Sequence, residues 1–217
     1  MLCSLSVFKG SFTAALASKV AADTSVGPSK VHEAMVNLAT KSLLTTDVSG
    51  DTIRYRLLDT TRAYAKELLD QSGRQSMVAR KHADTLCDLL REAEREQSNR
   101  PGKPDGHFLD DVRAALEWAF SDDGDAVIAV NLTSLSSNLW FHFEENRRRI
   151  ERALKILGEL DTVDLSIKIQ LHVAYGQAVW HTTVEAGSME ESLGRALLLF
   201  IMQLNYPHTS MPLPLKT

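Results

Sequence analysis

The spacing of apolar residues changes twice within the first 75 residues, and this change limits the folds open to the chain. Ile53, Tyr55 and Leu57 alternate with polar residues, which is the period of a strand that buries one face. Helical spacing precedes this strand and returns after it. The apolar residues at helical spacing before it are Val31, Met35, Val36, Leu38 and Ala39. This order predicts a small helical domain that contains a short sheet.

Turn and capping residues give the boundaries of these elements, because glycine and proline interrupt helices and small polar residues cap them. The predicted elements are a helix over residues 13–22, a helix capped by Ser29 that runs to about Lys41, extended segments over 43–48 and 52–57 joined by Ser49-Gly50-Asp51, and a helix capped by Asp59 or Thr60 that ends at Gln71 before Gly73. Helix, helix, hairpin and helix are the content of a winged-helix domain. We assign this domain to residues 1–75.

Beyond residue 75 the sequence predicts helices alone, which makes the fold class mainly α. The last two of these helices carry Gly176 and Gly194, small residues that let neighbouring helices pack closely. The pattern favours an antiparallel, tetratricopeptide-like array over residues 76–204. Residues 205–217 contain three of the six prolines and show no period, which predicts a disordered tail.

Composition excludes several classes of protein. Hydrophobic residues make up 44% of the chain, but no apolar stretch approaches the roughly 20 residues of a membrane-spanning helix. The first residues also lack the pattern of a signal peptide, so we expect a cytoplasmic protein without a membrane partner. Cys3 and Cys87 are the two cysteines, too few for a disulfide framework or a four-cysteine zinc site. Both are expected to be reduced thiols.

No residue pattern in the sequence predicts catalysis. The seven histidines form no compact ligand cluster, so we expect no metal. Thr40-Lys41-Ser42 lacks the glycines that bring backbone amides to a phosphate, so we expect no nucleotide cofactor. Acidic pairs such as Asp110-Asp111 lie near predicted helix starts, where the helix dipole favours them as caps. The chain is therefore expected not to be an enzyme.

The sequence does not exclude nucleic-acid binding. Residues 1–75 carry nine Lys or Arg and seven Asp or Glu, a charge of +2, whereas the whole chain carries −4. The candidate DNA contacts are Lys30, Asn37 and Lys41 on the second helix and Arg54 and Arg56 on the wing. The alternative is that these side chains face solvent or a protein, because the local net charge is small.

Several segments of the chain resemble a known family. They are Leu5-Ser6-Val7-Phe8-Lys9-Gly10-Ser11-Phe12-Thr13, Leu38-Ala39-Thr40-Lys41-Ser42-Leu43-Leu44, Tyr55-Arg56-Leu57-Leu58-Asp59-Thr60-Thr61-Arg62-Ala63-Tyr64-Ala65 and Val112-Arg113-Ala114-Ala115-Leu116-Glu117-Trp118-Ala119. Together they resemble the winged-helix and helical-repeat part of bacterial STAND-type signalling ATPases. The resemblance implies that the winged helix is a conformational latch for a P-loop ATPase domain and that the repeats sense a signal or partner.

The sequence departs from this family pattern in three respects. It contains no phosphate-binding loop and no Met-His-Asp sensor near the wing, so the resemblance implies no ATPase activity in this chain. Asp111 stands where the family often has asparagine. The repeat pattern stops after Phe200, which favours a truncated or frameshifted reading frame.

These observations give a leading expectation and an alternative. The first is a non-catalytic regulatory fragment of a STAND-type regulator, which docks a protein partner or an ATPase domain. Trp118, Trp140, Phe141 and Trp180 would then be helix-packing residues or partner anchors. The alternative is a DNA-binding winged-helix transcriptional regulator.

Overall fold

Ten α-helices and three short strands form the described part of the computed structural model, residues 1–22, 26–48, 52–97, 108–140, 144–160, 163–182 and 186–205. The first elements are α1 (Leu2–Leu5), β1 (Phe12–Thr13), α2 (Ala14–Ala21), α3 (Pro28–Thr40), β2 (Leu44–Asp47), β3 (Arg54–Leu57) and α4 (Asp59–Gln71). The later helices are α5 (Gln75–Gln97), α6 (Leu109–Ala119), α7 (Ala126–Ser136), α8 (Glu144–Leu157), α9 (Leu165–Thr182) and α10 (Ala186–Asn205), with a 3-10 turn at Ser137–Trp140. A winged helix followed by helices confirms the predicted fold class.

The sheet of the winged helix has three strands, in the order β1-β3-β2, where the sequence predicted a two-stranded hairpin. Both neighbouring pairs are antiparallel, with Phe12 opposite Tyr55 and Leu44 opposite Leu57. The third strand escaped prediction because β1 has two residues, too few to show a period of two. Its pairing places β3 in the middle of the sheet.

The core of the winged helix lies between the sheet and the helices α1 to α5. Phe8 and Phe12 stack with their ring centroids 4.4 Å apart, and Val31 and Met35 of α3 are fully buried. Other buried members of this core are Leu5, Ala17, Val20, Leu44, Tyr55, Leu57, Leu69 and Val78. Burial of Tyr55 and Leu57 confirms two of the three residues predicted on the apolar face of this strand.

Four local expectations within this domain were wrong. Val36 and Ile53, both predicted to face the core, are each 49% exposed. Helix α3 takes Gly27 as its N-cap rather than Ser29, because Pro28 supplies the first helical residue with its fixed φ. Helix α4 has Leu58 at the N-cap, and Asp59 instead lies in its first turn and pairs with Arg62 at 2.7 Å. The predicted end of α4 is confirmed by Gly73, whose φ is +66°.

The first compact unit, Met1–Leu139, extends past the winged helix into α5, α6 and α7. Helix α5 contacts α2 of the winged helix as well as α6 and α7. Asp125 caps the start of α7, accepting hydrogen bonds from the amides of Val127 and Ile128 at 2.9 and 3.0 Å. The winged helix is thus packed against a helical layer, and the division into domains at residue 75 stays a prediction.

The second unit, Trp140–Thr217, contains α8, α9 and α10. A Cβ atom at Gly176 would lie 3.0 Å from the side chain of Leu193, which confirms the predicted close packing of α9 and α10 at this glycine. Gly194 does not contribute in the same way, because a Cβ there would meet nothing within 4 Å. The predicted disordered tail began at Asn205, which is instead the last residue of α10; the rest of that tail lies outside the described residues, as do Phe141 and the side chains of Trp140 and Trp180.

Candidate nucleic-acid interface

Helix α3 is held by its buried side and offers the opposite side to solvent. Val31 and Met35 lie in the core, and α2 packs directly against α3. The 13 residues of α3 give a helix about 20 Å long at 1.5 Å per residue, and a helix of this width fits the major groove of DNA. In a helix-turn-helix, the second helix is the one that enters that groove.

The three residues predicted on this helix lie together on one stripe. Lys30, Asn37 and Lys41 are all exposed, and at 100° per residue their positions fall within about 40° of one another around the axis. Lys30 lies in the first turn and Lys41 is the C-cap, so the two ammonium groups belong to opposite ends of the helix. This placement suits two phosphate contacts on either side of a central amide.

Three exposed residues beside this stripe were not predicted as site residues. Glu33, Val36 and Thr40 share the exposed side of α3, and the hydroxyl of Thr40 donates to the Val36 carbonyl oxygen at 2.9 Å. Their exposure follows from the helical phase of the buried pair Val31 and Met35, a signal that was already in the sequence. Glu33 matters most, because its carboxylate repels phosphate while Val36 offers an apolar contact.

The two predicted arginines lie on β3, on the face of the sheet opposite the core. Arg56 is exposed and Arg54 is half-buried, whereas the neighbouring Tyr55 and Leu57 are buried. Asp47 lies directly opposite Arg54 across the strand pair, so an opposite charge accompanies that guanidinium. The two arginines thus share one face of β3, where Asp47 partly offsets the charge of Arg54.

The wing also exposes apolar side chains. Val48, which follows β2, is 71% exposed, and Ile53, which precedes β3, is 49% exposed. The loop between them, Ser49-Gly50-Asp51, lies outside the described residues. An exposed apolar wing can contact a protein or the apolar part of a DNA groove, so the wing alone does not identify the partner.

A buried carboxylate supports the turn that leads into β1. Asp111 of α6 is 2% exposed and accepts hydrogen bonds from the backbone amides of Lys9 and Gly10. The guanidinium of Arg62 donates to the Lys9 carbonyl oxygen at 3.1 Å. The expectation that Asp111 caps its own helix was wrong, because its partners lie about a hundred residues away. Asp110 does stay local, pairing with Arg113 at 2.9 Å.

His82 of α5 lies beside this carboxylate in the core. Its Nε2 is 3.7 Å from Oδ1 of Asp111 and has no hydrogen-bond partner in the described part of the chain. Burial and, to a smaller extent, the positive charge of Lys9 lower the pKa of His82 to about 3, so the imidazole is neutral at pH 7. Burial also raises the pKa of Asp111 to about 6, against the effect of the two backbone hydrogen bonds. The pair is therefore not an ion pair at neutral pH.

The remaining chemically active side chains offer little beyond packing. Burial raises the pKa of Cys87 to about 12, which leaves an unreactive thiol, and Cys3 is also unpaired. The structure shows no group of three or more His, Cys, Asp or Glu side chains able to hold a metal within the residues it describes. His172 is half-buried and its Nδ1 lies 3.2 Å from the Ser192 hydroxyl.

None of the helices in the described ranges is both long and apolar enough to cross a bilayer.

Comparison with known proteins agrees with this geometry. Residues 1–70 match the family of the winged helix-turn-helix domain, which is therefore the class of the N-terminal domain. Three relatives, one from Mycobacterium bovis and two from Mycobacterium tuberculosis strains CDC 1551 and H37Rv, are each 33% identical to this chain over 145 residues. Each relative bears the name "Putative HTH-type transcriptional regulator".

The aligned region covers a larger share of this chain than of its relatives. The aligned region comprises 63% of this chain but 16% of each relative, so this chain spans a small part of the relatives' length. No solved structure matches the chain.

Proposed function

We propose that this chain supplies a DNA-binding part of a transcriptional regulator and acts by binding rather than by catalysis. The observation that carries the proposal is helix α3, which buries Val31 and Met35 and exposes Lys30, Asn37 and Lys41 on one stripe. The match to the winged helix-turn-helix domain and the names of the three relatives support the same function.

In this proposal α3 lies in the major groove. Lys30 and Lys41 contact phosphates, and Asn37 between them is able to pair with the N6 and N7 edge of an adenine. Arg56 on the exposed face of β3 adds a phosphate contact from the wing. The domain is only weakly basic, so these few cations carry most of the electrostatic attraction.

We expect Lys30→Ala/Lys41→Ala to weaken binding of the full chain to a random duplex at least about tenfold at about 50 mM salt, because each lysine lost removes about one released counterion. The slope of log affinity against log salt should become shallower by about 2. Fluorescence anisotropy with a labelled duplex measures both quantities. Arg148→Ala/Lys155→Ala, which removes two exposed cations from α8, is the matched control and should leave the slope unchanged.

A second candidate is docking of the winged helix to a protein, as the resemblance to STAND-type regulators implies. The observation that favours it is the apolar exposure of Val36, Val48 and Ile53 on α3 and the wing. In this second proposal the partner of the winged helix is a protein or an ATPase domain. A cytoplasmic location is also a proposal. The helical array would then add a second protein-binding surface.

Glu33 separates the two candidates. If α3 faces phosphate, Glu33→Gln removes a repulsion and should strengthen duplex binding about threefold or more at low salt. If α3 docks a protein, that variant has no effect on DNA, and duplex binding by the unmodified chain is absent even at low salt. The same anisotropy assay gives both results.

A further inference from the structure

Helix α10 carries a stripe of exposed apolar side chains. The helix packs against α9, and its residues Ser192 and Ala196 are buried. On the remaining surface Leu193, Leu197 and Ile201 are 40%, 59% and 44% exposed. These three residues are spaced four apart, so they are neighbours along one side of the helix.

The clustering of these side chains indicates a contact surface. Single exposed apolar residues are common on proteins, whereas a contiguous patch of them marks a place where something binds. Four of the ten large apolar side chains that are exposed in the described ranges lie within nine residues of α10, and Leu198 is the fourth of them. Gly194 flanks the stripe, and a Cβ there would meet nothing within 4 Å. The helix surface is therefore low beside the stripe, which leaves room for a second chain segment.

The chain that follows α10 fits this stripe in length and spacing. Residues 206–217, which lie outside the described residues, contain Met211, Leu213 and Leu215, separated by two prolines. A residue before proline is held extended, and alternate side chains of an extended chain share one face about 6.6 Å apart. Residues four apart on a helix are about 6 Å apart along its axis, which is nearly the same spacing. The five residues between Asn205 and Met211 are enough for the chain to reverse its direction.

The charges agree with an antiparallel course of this segment. Glu190 lies near the start of α10 and has no ion-pair partner within the part of the chain that the structure describes, whereas Glu191 pairs with Arg195 at 2.8 Å. Lys216 is the one Lys or Arg in residues 206–217, which contain no Asp or Glu. A segment that turns back along α10 brings this ammonium group to the carboxylate of Glu190.

We propose that residues 206–217 fold back along α10 and cover its apolar stripe. The apolar residues of the two segments then meet in antiparallel order: Met211 on Ile201, Leu213 on Leu197 and Leu215 on Leu193. The sequence predicts no fold for this tail on its own, and in this proposal the helix supplies the surface that orders it. The tail is then an intramolecular cover, which a partner helix must displace before it contacts α10.

Paramagnetic relaxation in the ¹⁵N-labelled full chain tests this proposal. A nitroxide is attached at Thr217→Cys in a Cys3→Ser background, where the remaining thiol, Cys87, is buried. We expect the amide resonances around Glu190 to broaden more than those around Ile201, because the antiparallel tail brings the label to the start of α10. An undocked tail would broaden the resonances around Ile201 more, since these are nearer along the chain. A mixture of ¹⁵N-labelled chain without nitroxide and unlabelled chain with nitroxide should show no broadening.

Variants connect the broadening to the stripe. Leu197→Glu should abolish the broadening around Glu190, because docking would bury the new carboxylate. Met77→Glu is the matched control, since it changes an apolar residue of α5 that is 50% exposed, and it should leave the broadening unchanged. Glu190→Lys should weaken the broadening of neighbouring amides, and the added change Lys216→Glu should restore it.

Three results would overturn the proposal. The first is broadening that is greatest around Ile201 in the parent, which shows an undocked tail. The second is broadening in the mixed sample, which shows that a second copy of the chain covers the stripe. The third is unchanged broadening around Glu190 in folded Leu197→Glu.

Discussion

His82→Leu is expected to make the chain more stable at pH 4 than at pH 7, whereas the parent changes little between pH 4 and 6 from this pair. The imidazole titrates near pH 6.5 in an unfolded chain, whereas burial holds the pKa of the folded group at about 3. The unfolded state therefore binds more protons between these values. The stability that neutral His82 provides is complete above pH 6.5 and is lost as the pH falls towards 3. The loss amounts to at most about 5 kcal/mol at 1.36 kcal/mol per pKa unit.

Asp111 makes folding stability depend on pH in the opposite direction. Burial raises the pKa of this carboxyl from 3.8 to about 6, so the folded state binds more protons between these values. Its contribution to stability is therefore lost as the pH rises from 3.8 through 6. In the parent chain the two effects largely cancel between pH 4 and 6. Removing His82 leaves Asp111 alone, and the variant should gain up to about 3 kcal/mol between pH 7 and pH 4.

Urea unfolding of both proteins at pH 7, 6, 5 and 4 measures these slopes. His32→Leu is the matched control, because His32 is exposed on α3 and its replacement should leave the pH profile of the parent unchanged. Asp111→Asn should have the converse effect and steepen the loss of stability in acid. Parallel profiles for the parent and His82→Leu would show that the buried imidazole does not govern the response.

Asp111→Ala is expected to lower the free energy of unfolding by about 2–4 kcal/mol at pH 7, because it leaves two buried backbone amides without an acceptor. Those amides belong to Lys9 and Gly10, in the turn that leads into β1. Asp111→Asn should cost less, since the amide oxygen can still accept and carries no buried charge. Urea unfolding at pH 7 distinguishes the three proteins.

The adjacent acid provides the control for this prediction. Asp110→Ala removes an exposed carboxylate that pairs with Arg113, and exposed pairs contribute about 0–1 kcal/mol. Equal losses for Asp110→Ala and Asp111→Ala would contradict the assignment of Asp111 as the acceptor for the Lys9–Gly10 turn. A larger loss at Asp111 shows that α6 stabilises the winged helix directly.

Features with a local cause were predictable from the sequence. Periodicity located α3 and β3, composition located α2, and turn residues located α4, which ends before Gly73 as the sequence predicted. The two-residue strand β1 was not predictable, because its existence depends on pairing with β3 rather than on its own pattern. The role of Asp111 was unpredictable for the same reason, because it depends on a distant partner. Its position after Asp110 indicates a helix start, but its hydrogen-bond partners lie about a hundred residues earlier in the chain.

The candidate interface was predicted in part for similar reasons. Helical spacing places Lys30, Asn37 and Lys41 on one side of α3, and the structure places them on one exposed stripe. The apolar face predicted for this helix included Val36, but that side chain is 49% exposed. Whether these residues touch DNA depends on a partner, which neither period nor burial encodes.

An NMR titration of the ¹⁵N-labelled full chain with a random duplex at about 50 mM salt shows whether the exposed side of α3 contacts DNA. We expect the amide resonances of α3 around Lys30, Asn37 and Lys41 to shift most, followed by those of β3 around Arg56, and we expect the shifts to disappear at high salt. Shifts confined to other helices, or none at low salt, would contradict it.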